Sequence, residues 1–201
     1  MTSGTMPFHL GRDAVHVAID IQRVFAEPSP WHVPWMARTI PNVVAIASRH
    51  PDRTIFTRFI PPREAGEMPG AWRNYYRHWQ ALTRNVLDER LLDLVEPLRR
   101  LVPPARVCDK AVYSAFANRA LGRWLGERSI GTLIISGGET DVCVLATVMA
   151  AIDRGFRVVL PTDALCSGND ASHDALLALF RQRFEHQIRT ASTEEVLCSW
   201  E

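Results

Sequence analysis

A thiol, an ammonium and a carboxylate are the parts of a nucleophile activated by a neighbouring base and cation. This chain offers them at Cys143, Lys110 and Asp20. Cys143 carries the strongest local signal. It lies in TLIISGGETDVCVLATVMAAIDRG, Thr132 to Gly155, where Leu133-Ile134-Ile135 reads as a strand buried on both faces. Gly137 and Gly138 break that strand, and Thr140 or Asp141 is a candidate N-cap. Val144, Leu145, Val148, Met149 and Ile152 then recur at helical spacing until Gly155. A cysteine at such a helix start meets free N–H groups and the positive end of the helix dipole. Both favour a thiolate, and the amides of the turn suit an oxyanion hole. This is a nucleophile elbow with Cys in place of Ser. A buried small hydrophobe fits the same position, so the turn alone leaves two readings open.

The other two groups stand at comparable places. Asp20 ends the β-rich run AVHVAIDI, Ala14 to Ile21, and Lys110 ends RVCDK, Arg106 to Lys110. In an open parallel sheet the C-terminal strand ends converge on one crevice, where ligands bind. None of the seven histidines follows a strand end in this way. Of 23 basic residues only Lys110 is lysine, in a background that otherwise uses arginine. An ammonium is compact and mobile in pKa where a guanidinium is wide and planar, so the lone lysine fits either drift or a position where arginine would not serve.

These ends must be held by elements that the pattern supplies. A helix is expected from Met36 to His50, a second strand at Arg53 to Arg58, and a helix from Asn118 to about Arg128. A fifth strand follows at Phe156 to Leu160, and Ser172 is a candidate cap for a helix carrying Leu176, Leu177, Leu179 and Phe180. A last strand at His186 to Arg189 and a closing helical turn at Thr193 to Val196 complete the pattern. Strands alternating with helices predict a single α/β domain: a three-layer sandwich around a mainly parallel, Rossmann-like sheet. Residues 1–13 read as a loose lead-in, without the apolar core of a signal peptide. Residues 59–104 are the irregular part. There Trp72, Tyr75, Tyr76 and Trp79 fall at i, i+3, i+4 and i+7, a stripe that fits either packing or a pocket wall for a flat or apolar substrate.

Composition excludes several classes. Hydrophobic content of 47%, charged content of 22% and a net charge of +1 describe a globular chain without a footprint for nucleic acid or an anionic membrane. No apolar run is long enough to span a bilayer. Cys108, Cys143, Cys166 and Cys198 form no CxxC pair, which points to a reducing cytoplasm rather than a disulfide frame or a zinc site.

In order and spacing, DIQRVF (Asp20, Gln22, Phe25), DKAVYSAF (Lys110), SGGETDVCV (Cys143) and PTDALCS (Asp163) resemble the isochorismatase-like cysteine hydrolases, which include nicotinamidases and N-carbamoylsarcosine amidohydrolases. The likeness runs from about Ala14 to Leu197. It implies a triad of Asp20, Lys110 and Cys143, a cis peptide between Gly138 and Glu139, and an oxyanion held by N–H groups of Cys143 and that turn. It also implies a site shaped by Gln22 and Phe25, a small-molecule substrate, no bound organic cofactor, and a homo-oligomer. One departure matters. Where nicotinamidases carry an Asp-x-His metal motif, this chain has Arg58 and Ile60, neither of which binds a metal. Arg58 is a candidate to receive a substrate carboxylate, and Trp72 and Tyr76 are candidate pocket residues. The expected reaction is hydrolysis of a C–N bond in a small amide or carbamoyl compound through a thioester. The alternatives are a vinyl-ether hydrolase of the isochorismate type and a non-catalytic binding member of the same fold.

Overall fold

The computed structural model describes residues 9–201, so the first eight residues of the expected lead-in lie outside it. The rest of that lead-in is anchored, contrary to expectation. Leu10 is buried, bridges to Trp200, and donates its N–H to Ser199 O at 2.8 Å.

Among the described residues seven strands form one sheet: β1 (Ala14–Ile19), β2 (Thr54–Phe59), β3 (Arg106–Lys110), β4 (Thr132–Gly138), β5 (Arg157–Pro161), β6 (Leu165–Cys166) and β7 (Ile188–Ala191). Their order is β3-β2-β1-β4-β5-β7, with the short β6 paired to the end of β4, and every pairing is parallel. The order reverses between β1 and β4, which makes the gap at their C-terminal ends the topological switch point.

Among the described residues eight α-helices flank the sheet: α1 (Arg23–Ala26), α2 (Met36–Arg49), α3 (Gly70–His78), α4 (Glu96–Arg99), α5 (Arg119–Glu127), α6 (Leu145–Ile152), α7 (Asp170–Arg183) and α8 (Thr193–Ser199). Period-2 alternation along the strands sorts the core into two layers. Ala14, Ala18 and Ile134 pack with Val43, Ile46 and Val196 of α2 and α8 on one face. Val15, Val17, Leu133 and Ile135 pack with Leu125, Val148, Leu177 and Phe180 of α5, α6 and α7 on the other. A polar intruder breaks the run of β1: His16, fully buried, meets Ser136 Oγ through Nε2 at 2.7 Å.

Helix starts differ from expectation at two places. The cap of α7 is Asn169, whose side chain accepts the Ser172 N–H, and Ser172 itself turns to Asp141. After β4 the chain enters not an α-turn but a wide π-turn over Thr140–Val144, with no side-chain cap. Thr140 and Asp141 are occupied elsewhere. The closing helix α8 has a full capping box of Ser192 and Glu195.

Candidate active site

The three strand ends deliver their groups to one buried point. Lys110 Nζ lies 2.6 Å from Asp20 Oδ2 and donates to Cys143 Sγ at 3.3 Å. It also donates to Val112 O at 3.3 Å and stands 4.8 Å from the centre of the Phe59 ring. Asp20, Lys110 and Cys143 are 1%, 4% and 7% exposed, so their charges act on one another with little screening by water.

Local sequence accounts for each placement. Asp20 follows β1 at φ 52°, a left-handed conformation that Asp tolerates better than most side chains. Gly137 lets β4 press against that turn. A Cβ there would come within 2.2 Å of Ile19 O, and its φ of 104° favours glycine in any case. The Gly138–Glu139 peptide is cis.

The π-turn that carries Cys143 is fastened by its polar side chains to the loop after β6. Glu139 accepts the Gly168 N–H at 2.7 Å, and Asp141 accepts the hydroxyl of Ser167 at 2.6 Å and that of Ser172. Thr140 Oγ1 donates to Cys166 O at 3.1 Å, so His173 Nδ1, 2.9 Å away, is the donor to Thr140. Burial of Glu139 raises its pKa.

Electrostatics overturn one expectation. The helix start and Lys110 led us to expect a resting thiolate. Burial pushes the Cys143 thiol up, the Asp20 carboxylate adds to the rise, and the pull of Lys110 does not offset the two. Burial acts to lower the Lys110 pKa. The opposing charge of Asp20, with the hydrogen bonds to Asp20 and Cys143, acts against it, and the net direction is upward. The resting site is therefore a neutral thiol beside a Lys110–Asp20 ion pair.

The remaining candidates separate. Gln22 is buried and engaged on backbone. It accepts the Phe59 N–H at 2.6 Å and donates to Phe59 O at 3.2 Å and Leu92 O at 2.8 Å. It clamps β2 to the turn after β1 and has no free group for a substrate. Arg58 points away from the sulfur. Alternation along β2 turns Thr57 and Phe59 towards the site, while Arg58 makes two bonds to Asp109 at 2.7 and 2.8 Å and an ion contact with Asp93 at 3.5 Å. The expected carboxylate receptor is thus already neutralised. A cation held in this way at the position of the metal motif, with Ile60 beyond it, does not fit a divalent ion. Among the described residues no group of three or more His, Cys, Asp or Glu side chains is placed to hold a metal.

Aromatic rings form the lid of the site. Trp31 stands between Phe25 (6.0 Å), Phe59 (5.6 Å), Tyr75 (6.2 Å) and Tyr76 (6.5 Å). Trp72 stacks on Tyr76 and meets Tyr113 at 4.7 Å. The stripe of α3 therefore packs, with Tyr76 fully buried, and burial raises the pKa of Tyr75, Tyr76 and Tyr113. Trp31 and Thr57 escaped the sequence reading. Nothing in residues 27–35, EPSPWHVPW, distinguishes Trp31 from Trp35, and a lone Thr in a strand has no spacing signal.

Comparison with known proteins follows the same outline. The isochorismatase domain matches residues 14–192. The chain belongs to the isochorismatase family. Nicotinamidase 3 of Arabidopsis thaliana is 27% identical over 170 residues, covering 82% of this chain and 78% of that one. N-carbamoylsarcosine amidase of an Arthrobacter species is 28% identical over 156 residues, 74% of this chain and 58% of that one. For two Bacillus subtilis members of the family the match spans only 47% and 66% of their length. Among solved structures, a cysteine hydrolase from Pseudomonas syringae pv. phaseolicola superposes with a TM-score of 0.81 at 22% identity, covering 99% of this chain and 98% of that one. This family member thus has the isochorismatase-like α/β fold, with its three candidate groups at the switch point of the sheet.

Proposed function

We propose that this isochorismatase-family protein is a hydrolase that cleaves the C–N bond of a small amide through a Cys143 thioester. The observation that carries this reading is the single buried ammonium of Lys110, within 2.6 Å of a carboxylate and 3.3 Å of a thiol. Relatives named as a nicotinamidase, an N-carbamoylsarcosine amidase and a ureidoacrylate amidohydrolase support amide chemistry over ether cleavage.

The neutral resting thiol dictates the order of events. As Sγ attacks the carbonyl carbon, its proton passes to Asp20, and the new S–C bond pushes the carbonyl electrons onto oxygen. N–H groups of the Cys143 turn and of Gly138-Glu139 receive that oxyanion. Lys110 keeps the sulfur and Asp20 together and balances the charge that moves between them. Collapse of the intermediate breaks the C–N bond, and Asp20 returns the proton to the departing nitrogen. Asp20 then takes a proton from water, whose oxygen attacks the thioester, and the acid leaves with Cys143 restored as a thiol. No organic cofactor enters this cycle.

The wall restricts the acyl group. Arg58 is occupied by Asp109 and Asp93, and Lys110 by Asp20. A carboxylate on the substrate would find both of these cations already paired, so the reading favours uncharged, flat or apolar amides over carboxylate-bearing carbamoyl compounds.

The test is turnover of a panel of neutral amides, ureides, carboxylate-bearing carbamoyl compounds and isochorismate, with mass spectrometry of the intact chain during turnover. The expected result is an acyl adduct on Cys143 from a neutral amide. Turnover of isochorismate alone, without an adduct, would overturn the reading.

A further inference from the structure

We propose that Thr57 is a positioning residue for the base Asp20, and that β2, which supplies none of the three reacting groups, orients two of them. The inference rests on the amide-hydrolase reading above and adds to it a residue outside the triad.

Asp20 occupies a left-handed backbone conformation at φ 52°, and Thr57 holds it there. The Asp20 N–H donates to Thr57 Oγ1 at 3.1 Å, and the same hydroxyl donates to Asp20 Oδ1 at 2.6 Å. The direction of the second bond is fixed. A backbone N–H can only donate, so the hydroxyl spends a lone pair on it and its one proton goes to the carboxylate. Backbone and side chain of Asp20 are thus closed into one ring by a single atom, on a residue that is fully buried.

The consequence lies in which carboxylate oxygen remains open. Oδ1 is taken by Thr57. Oδ2, in 2.6 Å ion contact with Lys110 on the side of the sulfur that Lys110 also reaches, is left as the oxygen to receive the thiol proton. Two residues further along β2, the Phe59 ring lies under Lys110 Nζ, and Gln22 ties the Phe59 backbone to the far end of the Asp20 turn. Thr57 therefore aims the base, and Phe59 seats the cation. A valine at position 57 would fill the same space and pack as well, but could do neither half of the ring.

This separates a positioning role from a packing one. Thr57→Val and Thr57→Ser would be compared with wild type in kcat, KM and the pH profile of hydrolysis of a neutral amide, alongside melting temperature. We expect the Val variant to lose about 10- to 100-fold in kcat with KM within about twofold, because aim and proton transfer suffer rather than binding. Its pH profile should be displaced from that of wild type, since a donor to the carboxylate is gone. The Ser variant should restore both. A Val variant whose only defect is a lower melting temperature, or a Ser variant that rescues nothing, would overturn the proposal. If Val does not fold, Thr57→Cys, with a weaker donor of similar size, takes its place. If wild type hydrolyses no amide, the proposed function fails by itself. Thr57 is then tested by the pH dependence of Cys143 alkylation: a Val profile displaced from wild type and returned by Ser supports it, and superimposable profiles sink it.

Discussion

The strand ends and the ring-lined lid solve opposite problems with opposite materials. Asp20, Lys110 and Cys143 each hang from a different strand of one parallel sheet, and their mutual distances are set by a hydrogen-bonded register such as Phe59 opposite Lys110. The lid comes from residues 31 and 59–79, in which α3 is bounded by short turns and held mainly by ring contacts. Chemistry needs positions fixed to a fraction of an ångström, which a sheet provides. Selection among substrates needs surface that can change without moving those positions, which a packed but irregular segment provides. The two regions meet at Phe59, which belongs to β2 yet packs against both Trp31 and Lys110.

If that division holds, variants at the strand ends change kcat steeply and variants in the lid change preference mildly. The largest effect is expected for Asp20→Asn. Hydrolysis should fall by about 1,000-fold or more, because no base remains to take the thiol proton. Alkylation of Cys143 should nevertheless become faster near neutral pH. The sign follows from the causes of the upward thiol shift: removing the Asp20 charge removes a raising influence and leaves Lys110, which lowers. Iodoacetamide labelling followed by peptide mass spectrometry reads this, with exposed Cys198 as the internal reference. Slower labelling in the variant would mean that Asp20 does not act on the sulfur as described.

Next in size is Lys110→Arg, which keeps the charge in a wider, planar group. In a space where the lysine side chain is wholly buried, a guanidinium would clamp Asp20 with two bonds and occupy the base. We expect a loss of about 100-fold in kcat, and near wild-type turnover would show that any cation suffices there.

The lid gives a smaller, different signature. Trp72→Ala removes the ring between Tyr76 and Tyr113 while leaving the fully buried Tyr76 in place. The ratio of kcat/KM for an aromatic over a small aliphatic amide should fall by about tenfold, the scale of losing one apolar contact surface, with melting temperature little changed. Unfolding of this variant would make the stripe purely structural. The smallest effect is none. Dialysis against a chelator should leave turnover unchanged, because Arg58 is ion-paired where metal-binding relatives have an acid. Loss on chelation with recovery on adding zinc or manganese would contradict that assignment.

What could be read from the sequence follows the same division. Strand and helix positions were legible because apolar period and length are local properties: the helix expected from Met36 ends one residue early, and the strand expected at Arg53 begins at Thr54. The convergence of Asp20, Lys110 and Cys143 was legible because each follows a strand in a parallel sheet. The protonation state of Cys143 was not. It depends on how deeply the sulfur is buried and on its distance from Asp20, and neither is written in neighbouring residues. The π-turn was missed for a related reason: Thr140 and Asp141 have the right types for an N-cap, but their partners, Cys166 of β6, Ser167 after it and Ser172 of α7, lie more than 20 residues away. Arg58 failed as a carboxylate receptor because its partners Asp109 and Asp93 are remote in sequence.

His16 has a consequence for any experiment in acid. The imidazole is sealed in the centre of the sheet, and burial lowers its pKa to about 3. In the unfolded chain it would titrate near 6.5, so below that pH the unfolded form takes up a proton that the folded form refuses. Folding free energy is complete above about pH 6.5 and drains away as pH falls towards 3, by a sum on the order of 4 kcal/mol. Calorimetry from pH 7 to pH 4 should show the melting temperature dropping more steeply in wild type than in His16→Gln, which carries no titrating ring. The protein thus keeps two separate acid clocks, one for catalysis at the sheet's end and one for cohesion at its middle. Activity lost in acid and regained on neutralisation belongs to the first only where the melting curve, taken in the same buffer, has not moved.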